Sequence, residues 1–201
     1  MTVDGIRSEL RKISGRINTK QRIQHIERTT EFILSLCSHH GKDPAPASIA
    51  SAAHDLFRDL SNDRLLALAS AFGTECTSYE RQYPILLHGK VCALWLRKRY
   101  KPWIPAFDKV FEAVYFHSSG FSFSSYVGLF LFIADAAELS RTYNEVDEVR
   151  SRAFQDPDRA FCLVIKQKIR YALAKDRFLL PETCHAWNDH CIPRNEEPVD
   201  D

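Results

Sequence analysis

The sequence predicts a single all-α domain, and three observations carry that prediction. Apolar residues recur at helical spacing in almost every segment, no run keeps the alternation of a strand, and capping residues or glycines close the stripes at ordinary helix lengths. Ile6, Leu10 and Ile13 form a short first stripe. Ile23, Ile26, Thr30, Ile33 and Cys37 form a second, which stops at Gly41, a residue suited to the left-handed position after a helix. Pro44 and Pro46 then mark a turn, and a third helix carries Ile49, Ala52, Ala53 and Leu56. The fourth starts near Ser61, packs Leu65, Leu68, Ala69 and Phe72, and ends at Gly73. The connection through Pro84 reads as irregular; helices follow at 88–100, 105–117, 125–139 and 145–154. A long helix opens at Asp156-Pro157, where proline suits the first helical position, and a last short turn follows Pro181.

With 201 residues the chain can bury a core without disulfides or a structural metal. Lys plus Arg (27) balances Asp plus Glu (26), so no overall field draws the chain to nucleic acid or to a membrane surface. An anionic ligand must be held locally. The six cysteines show no short paired spacing and follow no apolar signal segment, a pattern of reduced thiols in a cytoplasm. The most apolar run, YVGLFLFIADAA at 126–137, is shorter than the roughly 18 residues of a membrane span and contains Asp135, so it reads as a buried helix.

The chemistry lies in polar residues on apolar stripes. His25 lies in QRIQHIER, His54 and Asp55 in AAHDLF, His88 in ILLHGKV, His117 in VYFHSSG and Asp135 in FIADAAE. A buried carboxylate is costly without a partner, and six such residues in one domain call for a common compensator. Imidazole with carboxylate is a donor set for zinc, iron, manganese or nickel. Six ligands exceed one open catalytic site and could hold two ions, with Asp55 bridging and His54 turned to one ion only.

The ordered series His, His-Asp, His, His, Asp closely resembles the HD-domain metal-dependent phosphohydrolases, and among them the YqeK-type symmetrical diadenosine tetraphosphate hydrolases, over about residues 20–187. HDLFRDL resembles the family's His-Asp-x-x-Lys, LLHGKVCA its Leu-His-Gly segment, YFHSSG its Tyr-His-Thr-Thr-Gly and IADAAELSR its Ala-Asp-Lys-x-Glu-Pro-x-x-Arg. Arg58 stands at the family's lysine, Ser118 and Ser119 at its two threonines, and Ala136 and Leu139 at a lysine and a proline.

The resemblance implies an HD-domain helical bundle at 20–187, an N-terminal helix at 1–19 packed on it and a flexible acidic tail at 188–201. It implies two divalent transition-metal ions, with iron expected and zinc or manganese also suited to the donors. His25, His54, Asp55 and Asp135 would hold one ion, and Asp55, His88 and His117 the other. A hydroxide bridging the ions would attack, with Asp55 and Arg58 in catalytic roles, and diadenosine tetraphosphate would give two ADP. Arg58, Arg141, Ser118, Ser119 and Gly120 are the expected substrate contacts, and Phe121, Phe123 or Tyr126 would stack on a base. The expected partner is a small dinucleoside polyphosphate, neither nucleic acid nor membrane, with a homodimer left open. The alternatives are an HD-domain hydrolase of another nucleotide or phosphate ester, or a metal-binding scaffold with weakened turnover.

Other polar clusters have plainer readings. CHAWNDHC offers Cys184, His185, His190 and Cys191 at a spacing that fits no common zinc motif and reads as a tail helix. His39 and His40 read as exposed residues at a helix end, and RKRYK at 97–101 as a solvated helix end.

Overall fold

A computed structural model describes residues 1–192; among them there is no strand, and eleven α-helices form the body. The acidic stretch from residue 193 onward lies outside the described residues. The helices are α1 (Val3–Ile17), α2 (Lys20–His39), α3 (Pro44–Ala53), α4 (Asn62–Ala71), α5 (Ser78–Gln82), α6 (Leu87–Tyr100), α7 (Phe107–Phe116), α8 (Tyr126–Ala137), α9 (Val146–Gln155), α10 (Pro157–Ala174) and α11 (Pro181–Ala186). Among the described residues no helix is long and apolar enough to cross a membrane.

Helix α8 is the axis of the molecule. It is apolar on all sides, which a helix tolerates only when covered all round, and α2, α3, α7, α9 and α10 pack against it. Phe130, Leu131, Phe132, Ile133 and Ala134 are all buried. Its other end is fixed by Arg150 of α9, which donates to the carbonyls of Ala137, Glu138 and Arg141 at 2.8–2.9 Å and so satisfies acceptors a helix C-terminus leaves open. Helix α1 lies on α3 through Ile6 and Leu10, both fully buried.

Local capping explains the boundaries. Gly41 and Gly73 follow α2 and α4 with φ of +61° and +65°, conformations that cost glycine little. Asp43 accepts from the Ala45 amide at 2.9 Å with Pro44 at the first helical position, so α3 begins at Pro44 and not beyond a turn at Pro44–Pro46. The stretch through Pro84 holds an ordered helix: Thr77 and Glu80 form a reciprocal capping box at the start of α5. Cys162 and Cys191 are joined as a disulfide, with Cα atoms 5.3 Å apart, where the sequence reading expected only reduced thiols. The pair is 29 residues apart in sequence and comes together because the turn after α11 folds back on α10, a tertiary contact that spacing alone does not reveal.

Candidate metal centre

The stretch after α3 departs from the sequence reading. Helix α3 ends at Ala53, and residues 54–59 form successive tight turns, with Leu56, Arg58 and Leu60 amides bonding three residues back to Ala53, Asp55 and Phe57. His54 and Asp55 therefore project from a turn packed beneath α6 and α7, and Arg58 is not one α-helical turn above His54. Asp59 holds this turn to the start of α2: it accepts from the Thr19 amide at 2.9 Å and hydroxyl at 2.8 Å.

Four imidazoles converge here from four segments: His25 of α2, His54, His88 of α6 and His117 at the end of α7. His54 is wholly buried, and the other three are at most 6% exposed. In three of them Nδ1 faces a backbone carbonyl: His54 to Ser51 at 2.7 Å, His88 to Ile85 at 2.5 Å and His117 to Val114 at 2.8 Å. A carbonyl only accepts, so each Nδ1 carries the proton and donates. His25 Nδ1 faces Glu138 Oε1 at 3.3 Å in the same way. In the neutral rings the Nε2 lone pairs are left pointing inward. His88 and His117 Nε2 lie 3.0 Å apart, and those of His25 and His54 3.4 Å apart.

Between these pairs lies Asp55, 4% exposed. Its Oδ1 is 3.2 Å from His88 Nε2 and 3.4 Å from His117 Nε2, while Oδ2 faces His25 and His54 at 3.6 and 3.8 Å. Asp135 Oδ1 lies 3.0 Å from His25 Nε2 and 4.0 Å from His54 Nε2. Two donor groups result, His25–His54–Asp55 and Asp55–His88–His117, in each of which the donor atoms lie within 4.8 Å of one another. Converging lone pairs beside carboxylates are stabilised by a cation between them, and imidazole with carboxylate is a donor set for divalent transition metals. The residues present thus suit such ions. Imidazoles whose far nitrogen is tied to a carbonyl or carboxylate are also the usual form of metal-ligating histidine.

The electrostatics agree. Burial lowers the His54 imidazole to about 4, although Asp55 beside it acts in the opposite direction. Burial likewise lowers His88. Both are neutral at neutral pH and ready to accept a cation. For the carboxylates burial acts upward, and the surrounding imidazoles outweigh it, holding Asp55 and Asp135 well below the ordinary aspartate value. For His25 burial acts downward and is outweighed by Asp135, which raises it.

Glu138, 1% exposed, stands where the resembled family's Ala-Asp-Lys-x-Glu word also has a glutamate, a place to which the sequence pattern assigns no role. It accepts from Ser140 through both its amide, at 2.8 Å, and its hydroxyl, from Arg28 Nε at 2.8 Å, and faces His25. Burial would raise its pKa, but these donors outweigh burial and hold it at about 2. A depressed carboxylate contributes stability that is present above its unfolded value near 4.5 and lost as pH falls through about 2. The shift corresponds to about 3 kcal/mol. Urea midpoints of Glu138→Gln and the wild type are therefore expected to differ strongly at about pH 6 and to converge toward about pH 3. An equal gap at both would refute this role.

A cleft of about 550 Å³ opens over the cluster. Asp55, His88, His117, Ser118 and Asp135 line its floor, and Arg22, Arg58, Arg141 and Lys168 line its walls. Arg22 pairs with Asp55 and, at 3.4 Å, with Asp59. Arg141 grips Asp135 twice, donating to its carbonyl and to Oδ1 at 3.0 Å each. Lys168 donates to the Ser118 carbonyl at 3.1 Å. Arg22 and Lys168 were absent from the sequence reading; both come from helices whose stripes give no hint that a basic residue turns inward.

The expected substrate contacts divide. Ser118 Oγ lies 3.2 Å from both His88 and His117 Nε2. Ser119 is not in the cleft lining: its hydroxyl donates to the Phe116 and Gly120 carbonyls, and its own carbonyl accepts from Thr183. Gly120 is also turned away, its amide bonded to the Phe116 carbonyl and its Cα packed where a Cβ would meet Ile165 at 2.6 Å. Phe121, Phe123 and Tyr126 line a different recess, and the aromatic rings in the cleft wall are Tyr143, Tyr171 and Phe178. The cause is the irregular segment 120–125, which turns at Gly120 and Phe121–Phe123 and carries the chain away from His117 to the start of α8, where Tyr126 stands. Ala136 lines the cleft and Leu139 is 71% exposed.

No protein-family model matches the chain. It is 27% identical over 173 residues to a symmetrical bis(5'-nucleosyl)-tetraphosphatase of Halalkalibacterium halodurans, covering 85% of this chain and 89% of that protein. Proteins of the same description from Staphylococcus aureus and Bacillus subtilis are 24% and 22% identical, covering 84% and 85% of this chain and 86% and 89% of theirs. A crystal structure described as that of a predicted HD superfamily hydrolase involved in NAD metabolism, from Clostridium acetobutylicum, superposes with a TM-score of 0.82 at 24% identity, over 90% of this chain and 94% of that one. The chain shares the fold of that structure, and its sequence is similar along most of its length to proteins described as symmetrical bis(5'-nucleosyl)-tetraphosphatases.

Proposed function

We propose that this chain is a metal-dependent phosphohydrolase that cleaves diadenosine tetraphosphate symmetrically, consuming one water and releasing two ADP. One observation carries the reading: four imidazoles with Nδ1 committed to acceptors turn Nε2 onto two carboxylates, Asp55 buried and Asp135 partly exposed, beneath a basic cleft. His25, His54, Asp55 and Asp135 would hold one divalent ion and Asp55, His88 and His117 a second, with iron the expected metal. Such ions supply a water acidified toward neutrality and draw charge from the phosphoryl oxygens.

The chain's own residues bind and orient. Arg58, Arg22 and Lys168 are placed to hold phosphate oxygens, the arginines with two donors each. Arg58 is lowered chiefly by burial, as is Lys168. Lys168 from α10 brings a lysine to the wall that Ala136 also lines, where the resembled family has its lysine. Ser118 can donate to a bound oxygen. Arg141 acts through Asp135, holding its carboxylate toward His25. Phe178, 51% exposed and stacked on Tyr79 with centroids 4.9 Å apart, and Tyr171, 47% exposed, offer faces to a nucleobase.

The test pairs metal analysis with chromatography of the products. Protein reconstituted anaerobically with iron or manganese is expected to carry about two ions per chain and to convert diadenosine tetraphosphate to ADP alone. Inorganic tetraphosphate, which lacks the bases, is expected to be the poorer substrate. Two ions with no cleavage would overturn the substrate, leaving another phosphate ester or a scaffold. No bound metal would overturn the site itself.

A further inference from the structure

The disulfide between Cys162 and Cys191 closes a loop of chain that carries much of the wall of the metal-centre cleft. Lys168, Tyr171, Arg177, Phe178, Leu180 and Thr183 all line the cleft, and all lie between the two cysteines. Neither cysteine lines it.

That wall has little packing of its own. From Leu173 to Cys191 only Thr183 and Ala186 are buried, and Arg177 and Phe178 are exposed. Thr183 donates its hydroxyl to the Ser119 carbonyl at 2.6 Å, Phe178 stacks on Tyr79, and Trp187 rests half-buried on the core. A stretch with so few buried contacts lies at the low end of local stability, and there a covalent tie removes opened conformations that packing alone would permit.

The pair is also the thiol chemistry that solvent can reach as a unit. Cys162 and Cys191 are both partly exposed, so a thiolate from solution has access to the bond. Cys37 and Cys92 are free but buried, and burial pushes the Cys37 thiol up to about 11 and raises that of Cys92 as well. Beside the disulfide, His190 pairs with Asp158 at 2.9 Å and packs edge-on against Phe161, with ring centroids 5.2 Å apart. These contacts involve no sulfur, so they keep the two thiols close after reduction and let the bond form again.

We propose that Cys162 and Cys191 are a reversible thiol–disulfide modification site whose oxidation state sets the order of the cleft wall on α10 and α11, with a dithiol reductant as its chemical partner. A thiolate of the reductant attacks one Sγ, forming a mixed disulfide and breaking the Cys162–Cys191 bond. The second thiol of the reductant then attacks the mixed disulfide. The chain gains two electrons and two protons as two thiols, and the reductant leaves as its own disulfide. The consequence for turnover rests on the reaction proposed above; the latch itself does not.

The test compares the full, manganese-loaded chain in its disulfide form and after dithiothreitol by hydrogen-exchange mass spectrometry. Iodoacetamide should label Cys162 and Cys191 only after dithiothreitol. Exchange over residues 173–187 is expected to rise about 10-fold on reduction, while α2 and α8 stay protected. Cys162→Ser and Cys191→Ala, both at partly exposed positions, should exchange as the reduced chain does, with or without dithiothreitol. A substrate must then order the loosened wall itself, so KM for diadenosine tetraphosphate is expected to rise ~10-fold with kcat within about twofold. If neither form cleaves that substrate, the proposed reaction falls, and the exchange result alone decides the latch. Equal exchange in the two forms would overturn the proposal. So would a rise spread evenly over all helices, a loosened wall with unchanged KM, or a pair that labels fully in air-oxidised protein.

Discussion

Asp55→Asn is expected to abolish hydrolysis, lowering kcat by about 10³- to 10⁴-fold, with the fold retained. The substitution keeps shape and removes charge at the one residue shared by both donor groups. Each oxygen faces a different pair of imidazoles, Oδ1 toward His88 and His117 and Oδ2 toward His25 and His54. Losing several kcal/mol of metal-derived stabilisation corresponds to that range of rates. Circular dichroism should remain helical while metal analysis shows fewer than two ions per chain. A variant that keeps two ions and near-wild-type turnover would remove Asp55 from its bridging place.

Gly89→Ala is expected to disturb the centre from behind. A Cβ on Gly89 would lie 2.7 Å from the Val114 carbonyl oxygen and 2.9 Å from Cε1 and Nδ1 of His117. The first is backbone and cannot swing aside; the second is the ring whose Nδ1 donates to that same carbonyl. Helices α6 and α7 must separate, at a cost of about 1–3 kcal/mol for overpacking of this kind. For a chain of this length each kcal/mol lowers Tm by about 2–4 °C. Since His88 precedes Gly89 and His117 is the group displaced, the loss should fall on one donor group, leaving about one ion per chain. Unchanged Tm with two retained ions would show that the contact yields without consequence.

These two positions also show what the sequence discloses and what it conceals. The helices around His25, His88 and Asp135 were legible because burial leaves a periodic stripe that a polar residue visibly interrupts. The ordered His and Asp residues were legible as a set for the same reason. The tight turns at 54–59 were not, since LFRDL has the composition of a helix and its end is imposed by Asp59 bonding back to Thr19, a contact between distant segments. Glu138 escaped because a glutamate after an apolar helix reads as its solvent end, yet Arg28 and Ser140 fold over it. Phe121, Phe123 and Tyr126 sit near His117 in sequence and face elsewhere, because the direction of an irregular, turning segment cannot be inferred from proximity. The aromatic faces of the cleft come instead from α10 and the segment after it, through Tyr171 and Phe178.

The imidazoles and carboxylates of the cluster are drawn from α2, the turn after α3, α6, the end of α7 and α8, so nothing in an unfolded chain brings them together. A cation that lodges among them binds the folded form almost alone, and its affinity becomes folding free energy. At a free-ion concentration one hundred times the dissociation constant, a single such site adds about 2.7 kcal/mol. That is a sizeable part of the stability a domain usually has. With such ions bound, the resistance of this chain to unfolding would be set jointly by its buried helices and by the free metal activity of its surroundings, and a chelator would act on it as a denaturant does.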